Sequence, residues 1–151
     1  PPDRMEIDDE DVQEVAVKAR EVNIPTENFF LHSLIQHYYV DGQEGVLNPL
    51  GMVGRKLEAD FHIIHGVKTR LQNTMRCIGE AGVQIDEPVV SSLASAQAVL
   101  DQHQKDLGAL VIDIGGGVTD YIVYENGAVH HSGVLAVGGD HISNDISLGL
   151  R

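Results

Sequence analysis

One cysteine, Cys77, stands among 151 residues. The chain therefore forms no internal disulfide, which fits a reducing compartment, and it has no cysteine cluster for a structural zinc. Cationic side chains are scarce as well. Ten Lys and Arg face 23 Asp and Glu, a formal charge of −13. That balance argues against nucleic acid or an anionic membrane surface as the main partner of this segment. Apolar runs are short: none approaches the roughly 20 residues needed to cross a bilayer, and no secretory signal opens the chain. The glycine-rich loop that the chain does carry is not closed by a Lys-Ser or Lys-Thr pair, and a strand follows it, which excludes a P-loop.

What remains is ordinary for a soluble globular protein, with 42% hydrophobic and 22% charged residues, enough for one domain or two small ones. The acidic run Glu6–Asp11 reads as a solvated face. The chain begins Pro1-Pro2-Asp3 without an initiator Met and stops in a helical pattern at Leu148-Gly149-Leu150-Arg151. It reads as a piece of a larger protein.

The most informative stretch is Ala109-Leu-Val-Ile-Asp-Ile-Gly-Gly-Gly-Val-Thr-Asp-Tyr-Ile-Val-Tyr124. An apolar strand ends in Asp113, glycines 115 to 117 follow, then Val118, Thr119, Asp120 and a second apolar strand. Glycines at such a turn let backbone N–H groups approach an anion without a Cβ in the way. A carboxylate at the strand end suits Mg²⁺, which takes one or two carboxylates beside substrate phosphates. Gly138-Gly139-Asp140 lies one hairpin later and opens the last helix, where exposed N–H groups and the helix dipole attract anions.

Upstream, Asp9 or a neighbouring acid caps a helix with Val12, Val15, Ala16 and Ala19 on its apolar face. Asn28–Val40 reads as a strand closed by the turn Asp41-Gly42. The loop Asn48-Pro-Leu-Gly-Met52 follows, and Leu57, Ala59, Phe61 and Ile63 alternate with Glu58, Asp60 and His62 as in a half-buried strand. Val67, Leu71, Met75 and Ile78 recur at helical spacing, with Gly82 at the C-cap. A short strand is expected within Val83–Val90, a small-residue helix over Leu93–Leu100, a linker at Gln102–Gly108 and a hairpin turn at Asn126-Gly127. The composition change at that linker divides an α+β module from the first strands of another.

Other clusters carry less. His62 and His65 at a strand end do not share a face, and adjacent His130 and His131 point to opposite faces, so neither pair makes a zinc site. Ser91, Ser92 and Ser95 have no evident acid–base partner. Cys77 reads as a small core residue.

Asp113-Ile-Gly-Gly-Gly-Val-Thr-Asp120 resembles the second phosphate loop of the superfamily that joins actin, heat-shock chaperones and sugar kinases. The run from Leu93-Ala-Ser-Ala-Gln-Ala-Val-Leu100 to Val137-Gly-Gly-Asp-His-Ile-Ser-Asn-Asp-Ile146 resembles the bacterial FtsA family of that superfamily. His37-Tyr-Tyr-Val-Asp-Gly-Gln43, Asn48-Pro-Leu-Gly-Met52 and the strand Leu57–Ile64 are similar to the family's inserted SHS2-type subdomain.

The resemblance implies an α/β protein: an α+β inserted subdomain plus part of an actin-like, ribonuclease-H-like ATPase domain. It implies that residues 1–22 end a first actin-like subdomain and that 23–87 form the SHS2-type insert. Residues 88–107 then return to the first subdomain through a hinge helix, and 108–151 start the second with its phosphate loop. It implies ATP and Mg²⁺ as cofactors, with Gly115, Gly116, Gly117, Val118 and Thr119 around the β- and γ-phosphates and Gly138 and Gly139 near the phosphates or ribose. Asp113 is implied to hold Mg²⁺ through water and to help orient the attacking water. Gln97 either echoes an actin glutamine that positions that water or is a packed helix residue, and Asp120 stands where actin has a histidine.

For the parent protein the resemblance implies weak ATPase activity, self-association into filaments and a link between the FtsZ ring and the cytoplasmic membrane through parts absent here. The membrane contact is implied to be a C-terminal amphipathic helix on the cytoplasmic face at the division site. Later division proteins are implied to meet the SHS2-type part. The 151 residues alone are expected to bind ATP poorly and not to hydrolyse it. Two alternatives stand beside this: an interaction module without nucleotide turnover, and a pilus-assembly ATPase of the same superfamily.

Overall fold

The computed structural model describes residues 5–150, so Pro1-Pro2-Asp3, Arg4 and Arg151 lie outside the described residues. The chain is mixed α/β and divides between Pro88 and Val89 into two compact units.

In the first unit, strand β2 (Asn28–Val40) pairs antiparallel with β3 (Gln43–Val46) on one side and β5 (Leu57–Val67) on the other. The turn between β2 and β3 has Asp41 at φ 48 and Gly42 at φ 83. Left-handed φ at two successive residues is what a tight hairpin turn demands. Asp41 then does more, because its Oδ1 accepts the N–H groups of Arg55 and Lys56, both at 2.9 Å, and so fixes the entry to β5. Along β5, Glu58 and Asp60 are exposed between half-buried Leu57, Ala59 and Phe61, as alternation predicts. From Phe61 to Ile64 all four residues are half-buried. Helix α2 (Lys68–Glu80) continues from β5 and ends with Gly82 at φ 79. No residue of α2 is buried, and Cys77 is exposed rather than a core residue.

Helix α1 (Asp9–Ala19) belongs to this unit, although the resemblance set residues 1–22 apart from the inserted subdomain. Asp8, the acid next to Asp9, is the cap, as the expectation of Asp9 or a neighbouring acid allows. Its carboxylate accepts the N–H groups of Glu10 (2.9 Å) and Asp11 (3.0 Å), and the Asp11 carboxylate accepts the N–H of Asp8. The acidic run is thus a capping box placed at the positive end of the helix dipole. Ile7 forms the core with Val40 and Val46, and Val12, Tyr38, Met52 and Leu57 pack against them. The Asn48–Met52 loop clasps the backbone of Ile7 on both sides: Ile7 N–H donates to Met52 O (2.8 Å), and Gly51 N–H donates to Ile7 O (2.9 Å). Beside this clasp, β1 (Met5–Glu6) pairs antiparallel with β4 (Val53–Gly54). The N-terminal segment is therefore stitched into the sheet unit by backbone bonds that no periodicity reveals.

Residues 83–90 form no strand. No neighbouring strand among the described residues pairs with them, and Pro88 has no N–H to donate.

The second unit opens with α3 (Ser91–Val99) and α4 (Gln102–Leu107), followed by a meander of β6 (Ala109–Ile114), β7 (Thr119–Glu125) and β8 (Ala128–Leu135), and by α5 (Gly139–Gly149). Where a linker is expected, α4 is a helix. Asp101 caps it by accepting Gln104 N–H at 2.8 Å, and the Gln104 side chain returns the bond. Lys105 is buried, its ammonium 5.4 Å from the centre of the Tyr124 ring. The Lys105 carbonyl also accepts the N–H of Gly127 in the Asn126-Gly127 turn. Helices α3 and α4 cover one face of the meander, where Ile122 and Tyr124 are buried. On the opposite face Leu110, Ile112 and Ile114 are exposed.

Candidate functional site

Strands β6 and β7 pair in continuous register, Asp113 opposite Asp120 and Ile114 opposite Thr119, with residues 115–118 as the connection. Directly opposed residues of an antiparallel pair project to the same face. The two carboxylates therefore share the face on which α3 packs. Two like charges so placed repel unless a cation stands between them or solvent screens them.

The connection is closed by Gly115 N–H donating to Val118 O at 2.9 Å. None of its three glycines has a positive φ, so left-handed backbone is not why glycine is needed. Close approach explains Gly115, whose neighbour is backbone, while at Gly116 the neighbour is the end of an exposed side chain that can move. A Cβ at Gly115 would lie 3.1 Å from Val118 O, and one at Gly116 would lie 3.2 Å from Asp140 Oδ2. Gly117 has no such reason, since a Cβ there would meet nothing within 4 Å. The N–H groups of Gly116, Gly117 and Val118 donate to no backbone carbonyl among the described residues.

The second glycine segment meets the first. Gly139 N–H donates to Gly115 O (2.8 Å) and Asp140 N–H to Gly116 O (2.9 Å). Gly138 is buried between them, and a Cβ on it would come within 2.6 Å of Gly115 O and closer still to Gly116 O. This corrects the expectation of an open anion site at the start of α5. The first amides of that helix are consumed by the glycine loop, so Gly138 and Gly139 shape the loop rather than offer it a second set of donors. Thr119 is occupied too, its hydroxyl donating to Val137 O at 2.7 Å.

Asp113 is half-buried, and its Oδ2 accepts a hydrogen bond from Ser95 Oγ at 2.6 Å. Ser95 thus has the acidic partner that the sequence did not reveal. With no imidazole or amine base hydrogen-bonded to this pair among the described residues, it orients a hydroxyl and a carboxylate and does not build a nucleophile. The signal was available in the helix period: Ser92 and Ala96 are the buried residues of α3, and Ser95 lies on the face they define. Gln97, two residues on and about 200° around the helix, is not brought to Asp113. Its Oε1 accepts the Lys105 ammonium at 3.0 Å.

Among the described residues no three acidic or imidazole groups are placed to hold a metal ion directly; a divalent cation that arrives with a phosphate and keeps its water shell would suit this donor set. Between Ala109 and His141 there is no Lys or Arg, while Asp113, Asp120 and Asp140 stand on or beside the loop. An anion reaching the loop amides brings its charge up to these carboxylates, and a hard, oxygen-seeking cation removes the conflict.

A separate feature lies wholly in the first unit. An open groove of about 650 Å³ runs between α1 and the sheet, lined by Val15, Ala19 and Val22 with Tyr39, Ala59 and Phe61. Tyr39 donates to Asp60 Oδ2 at 2.6 Å, and that bond holds the Tyr39 phenol above its ordinary pKa.

Comparison with known proteins bears on both units. The family model described as "SHS2 domain inserted in FTSA" matches residues 1–65, and the one described as "Cell division protein FtsA" matches residues 110–151. The cell division protein FtsA of Neisseria meningitidis is 43% identical over 146 residues, 97% of this chain. The chain belongs to the FtsA family. FtsA of Pseudomonas aeruginosa is 40% identical over 97% of the chain, and FtsA of Bacillus subtilis 38% over 99%. The chain spans about a third of the length of these relatives: 35% of the first two and 34% of the third. The SHS2 match begins at residue 1 and so includes α1, in agreement with the packing of Ile7 and Val12 into the sheet unit. Among the described residues no helix is long and apolar enough to cross a membrane.

Proposed function

We propose that this FtsA-family chain carries one phosphate loop of an actin-like ATP-binding protein of bacterial cell division, together with the subdomain through which that protein meets its partners. The observation that carries the reading is the loop itself: Gly117 has no internal reason to be glycine, and the amides of Gly116, Gly117 and Val118 are left for an outside acceptor. In this reading those amides hold the β- and γ-phosphates of ATP, and Asp113 holds Mg²⁺ through its water shell. The metal, when bound, neutralises phosphate charge and polarises the γ-phosphoryl group. The chain's own part is to position, since phosphoryl transfer asks little covalent chemistry of the protein. One loop grips only part of a nucleotide, so tight binding and slow hydrolysis belong to the whole protein.

The finer biological reading follows the family. The whole protein assembles into filaments on the cytoplasmic face of the membrane at the division site and links the FtsZ ring to that membrane. Its SHS2-type unit receives neighbouring subunits or later division proteins. The apolar groove along α1 supports this last role, because its mixed apolar and hydrogen-bonded lining is of the kind that peptides and protein surfaces fill.

The test is calorimetric titration of Mg-ATP into the whole protein that carries this chain, with Asp113→Ala beside it. The expected result is Mg²⁺-dependent binding weakened by about tenfold or more in the variant. Unchanged affinity in Asp113→Ala, with unchanged filament assembly by sedimentation, overturns the nucleotide reading and leaves a pure interaction module.

A further inference from the structure

We infer that Ser95 is a positioning residue for Asp113, fixing the orientation in which its carboxylate meets the cation's water shell. The inference rests on the Mg-ATP reading above and adds a residue to that site.

The contact is short, 2.6 Å from Ser95 Oγ to Asp113 Oδ2, within the range of a charge-assisted O–H···O⁻ bond. Ser95 gives up an easier partner to make it. A serine within a helix commonly turns its hydroxyl back to the carbonyl four residues earlier, whereas this one reaches across to β6. The hydroxyl is also held rigidly, because Ser92 and Ala96, on either side of it along the buried face of α3, are 2% and 0% exposed. A group on a packed helix is fixed more closely than one on a loop.

Asp113 needs such a restraint. Asp120 stands directly opposite on the neighbouring strand, and like-charge repulsion alone would rotate the Asp113 carboxylate away from the shared face. With Oδ2 held by the helix, Oδ1 has no hydrogen bond among the described residues and is the oxygen left for a metal-bound water. A neutral hydroxyl cannot replace the cation's charge, so its contribution is direction. Hydrogen bonds of this kind to metal-binding carboxylates commonly change metal affinity by about 10- to 100-fold when removed. Because Asp113 acts through water, the lower end of that range is expected here.

The whole protein is compared with its Ser95→Ala and Ser95→Thr variants by calorimetric ATP titration, once in EDTA and once across a series of Mg²⁺ concentrations. Ser95→Ala is expected to raise the Mg²⁺ concentration for half-maximal ATP binding about tenfold, to leave the affinity in EDTA unchanged, and to be rescued by Ser95→Thr. A Mg²⁺ requirement equal to that of the unaltered protein overturns the inference. An equal loss with and without Mg²⁺ that threonine does not rescue overturns it too, since that is the signature of a packing role. If the unaltered protein shows no Mg²⁺-dependent ATP binding, the nucleotide reading fails first, and that is visible before any variant is compared.

Discussion

The amide of Gly139 donates to the carbonyl oxygen of Gly115 at 2.8 Å. Through that bond the start of α5 and the glycine loop are one element, and the loop's shape is set from outside its own hairpin. An anion that binds the loop meets a backbone already held at Gly115 and Gly116, with the donors of Gly116, Gly117 and Val118 still unspent.

Two glycine substitutions separate shape from binding. Gly138→Ala pushes a Cβ against the carbonyl oxygens of Gly115 and Gly116 and is expected to destabilise the protein by about 1–3 kcal/mol or more. Gly117→Ala meets nothing within 4 Å and is expected to change stability by less than about 1 kcal/mol, while weakening nucleotide binding by intruding where the phosphate approaches. Denaturant unfolding reads the first effect and calorimetry the second. Equal stability of the two variants would falsify the account of the loop.

Gln97 and Asp113 are expected to part company. Gln97→Ala removes the acceptor of the buried Lys105 ammonium and is expected to cost about 1–3 kcal/mol of stability. It leaves the Ser95–Asp113 pair untouched, so ATP affinity and any hydrolysis persist at temperatures where the variant is folded. A selective loss of hydrolysis with stability unchanged would return Gln97 to the catalytic role.

Two phenols ionise late. The Tyr39 hydrogen bond to Asp60 and the burial of Tyr124 each raise the pKa in the folded protein. Their contribution to stability is complete below about pH 10, the ordinary tyrosine value, and is lost as pH rises through the raised folded values. Spectrophotometric titration of Tyr39→Phe and Tyr124→Phe should each remove one late-ionising phenol. A titration of the unaltered protein that superimposes on free tyrosine counts against both. The Tyr124 hydroxyl is buried without a hydrogen-bond partner, so Tyr124→Phe is expected to be neutral or to stabilise by up to about 1 kcal/mol at neutral pH.

Asp8→Ala strips the cap from α1 and is expected to cost about 0.5–2 kcal/mol. Because Ile7 and Val12 anchor this segment to the sheet, the loss should appear in the cooperative unfolding of the first unit, not as separate fraying of a helix. Hydrogen exchange across residues 28–67 distinguishes the two: protection that stays unchanged there while α1 frays would show that α1 is an appendage.

Local chemistry was legible in the sequence. Asn28–Val40 was read to its ends because aromatic and β-branched residues run unbroken up to a turn dipeptide. Asp41-Gly42 and Asn126-Gly127 announced their hairpins because those residues tolerate the positive φ that both turns adopt. Gly82 marked the end of α2 for the same reason. The expectation of a linker at Gln102–Gly108 fails because the buried member of α4, Lys105, looks polar in sequence. Only the Tyr124 ring and Gln97 beside it explain how an ammonium is accommodated there.

The glycine loop between two strands was legible in the order of its residues, an acid at a strand end, three glycines, a threonine and a second acid, since turn and strand preferences act between neighbours. Which of its groups are free was decided by tertiary structure alone. The α5 amides are spent on Gly115 and Gly116, Thr119 on Val137, and Asp113 Oδ2 on Ser95. Such partners are set by which faces of packed elements meet, and a periodicity defines a face without naming what lies against it.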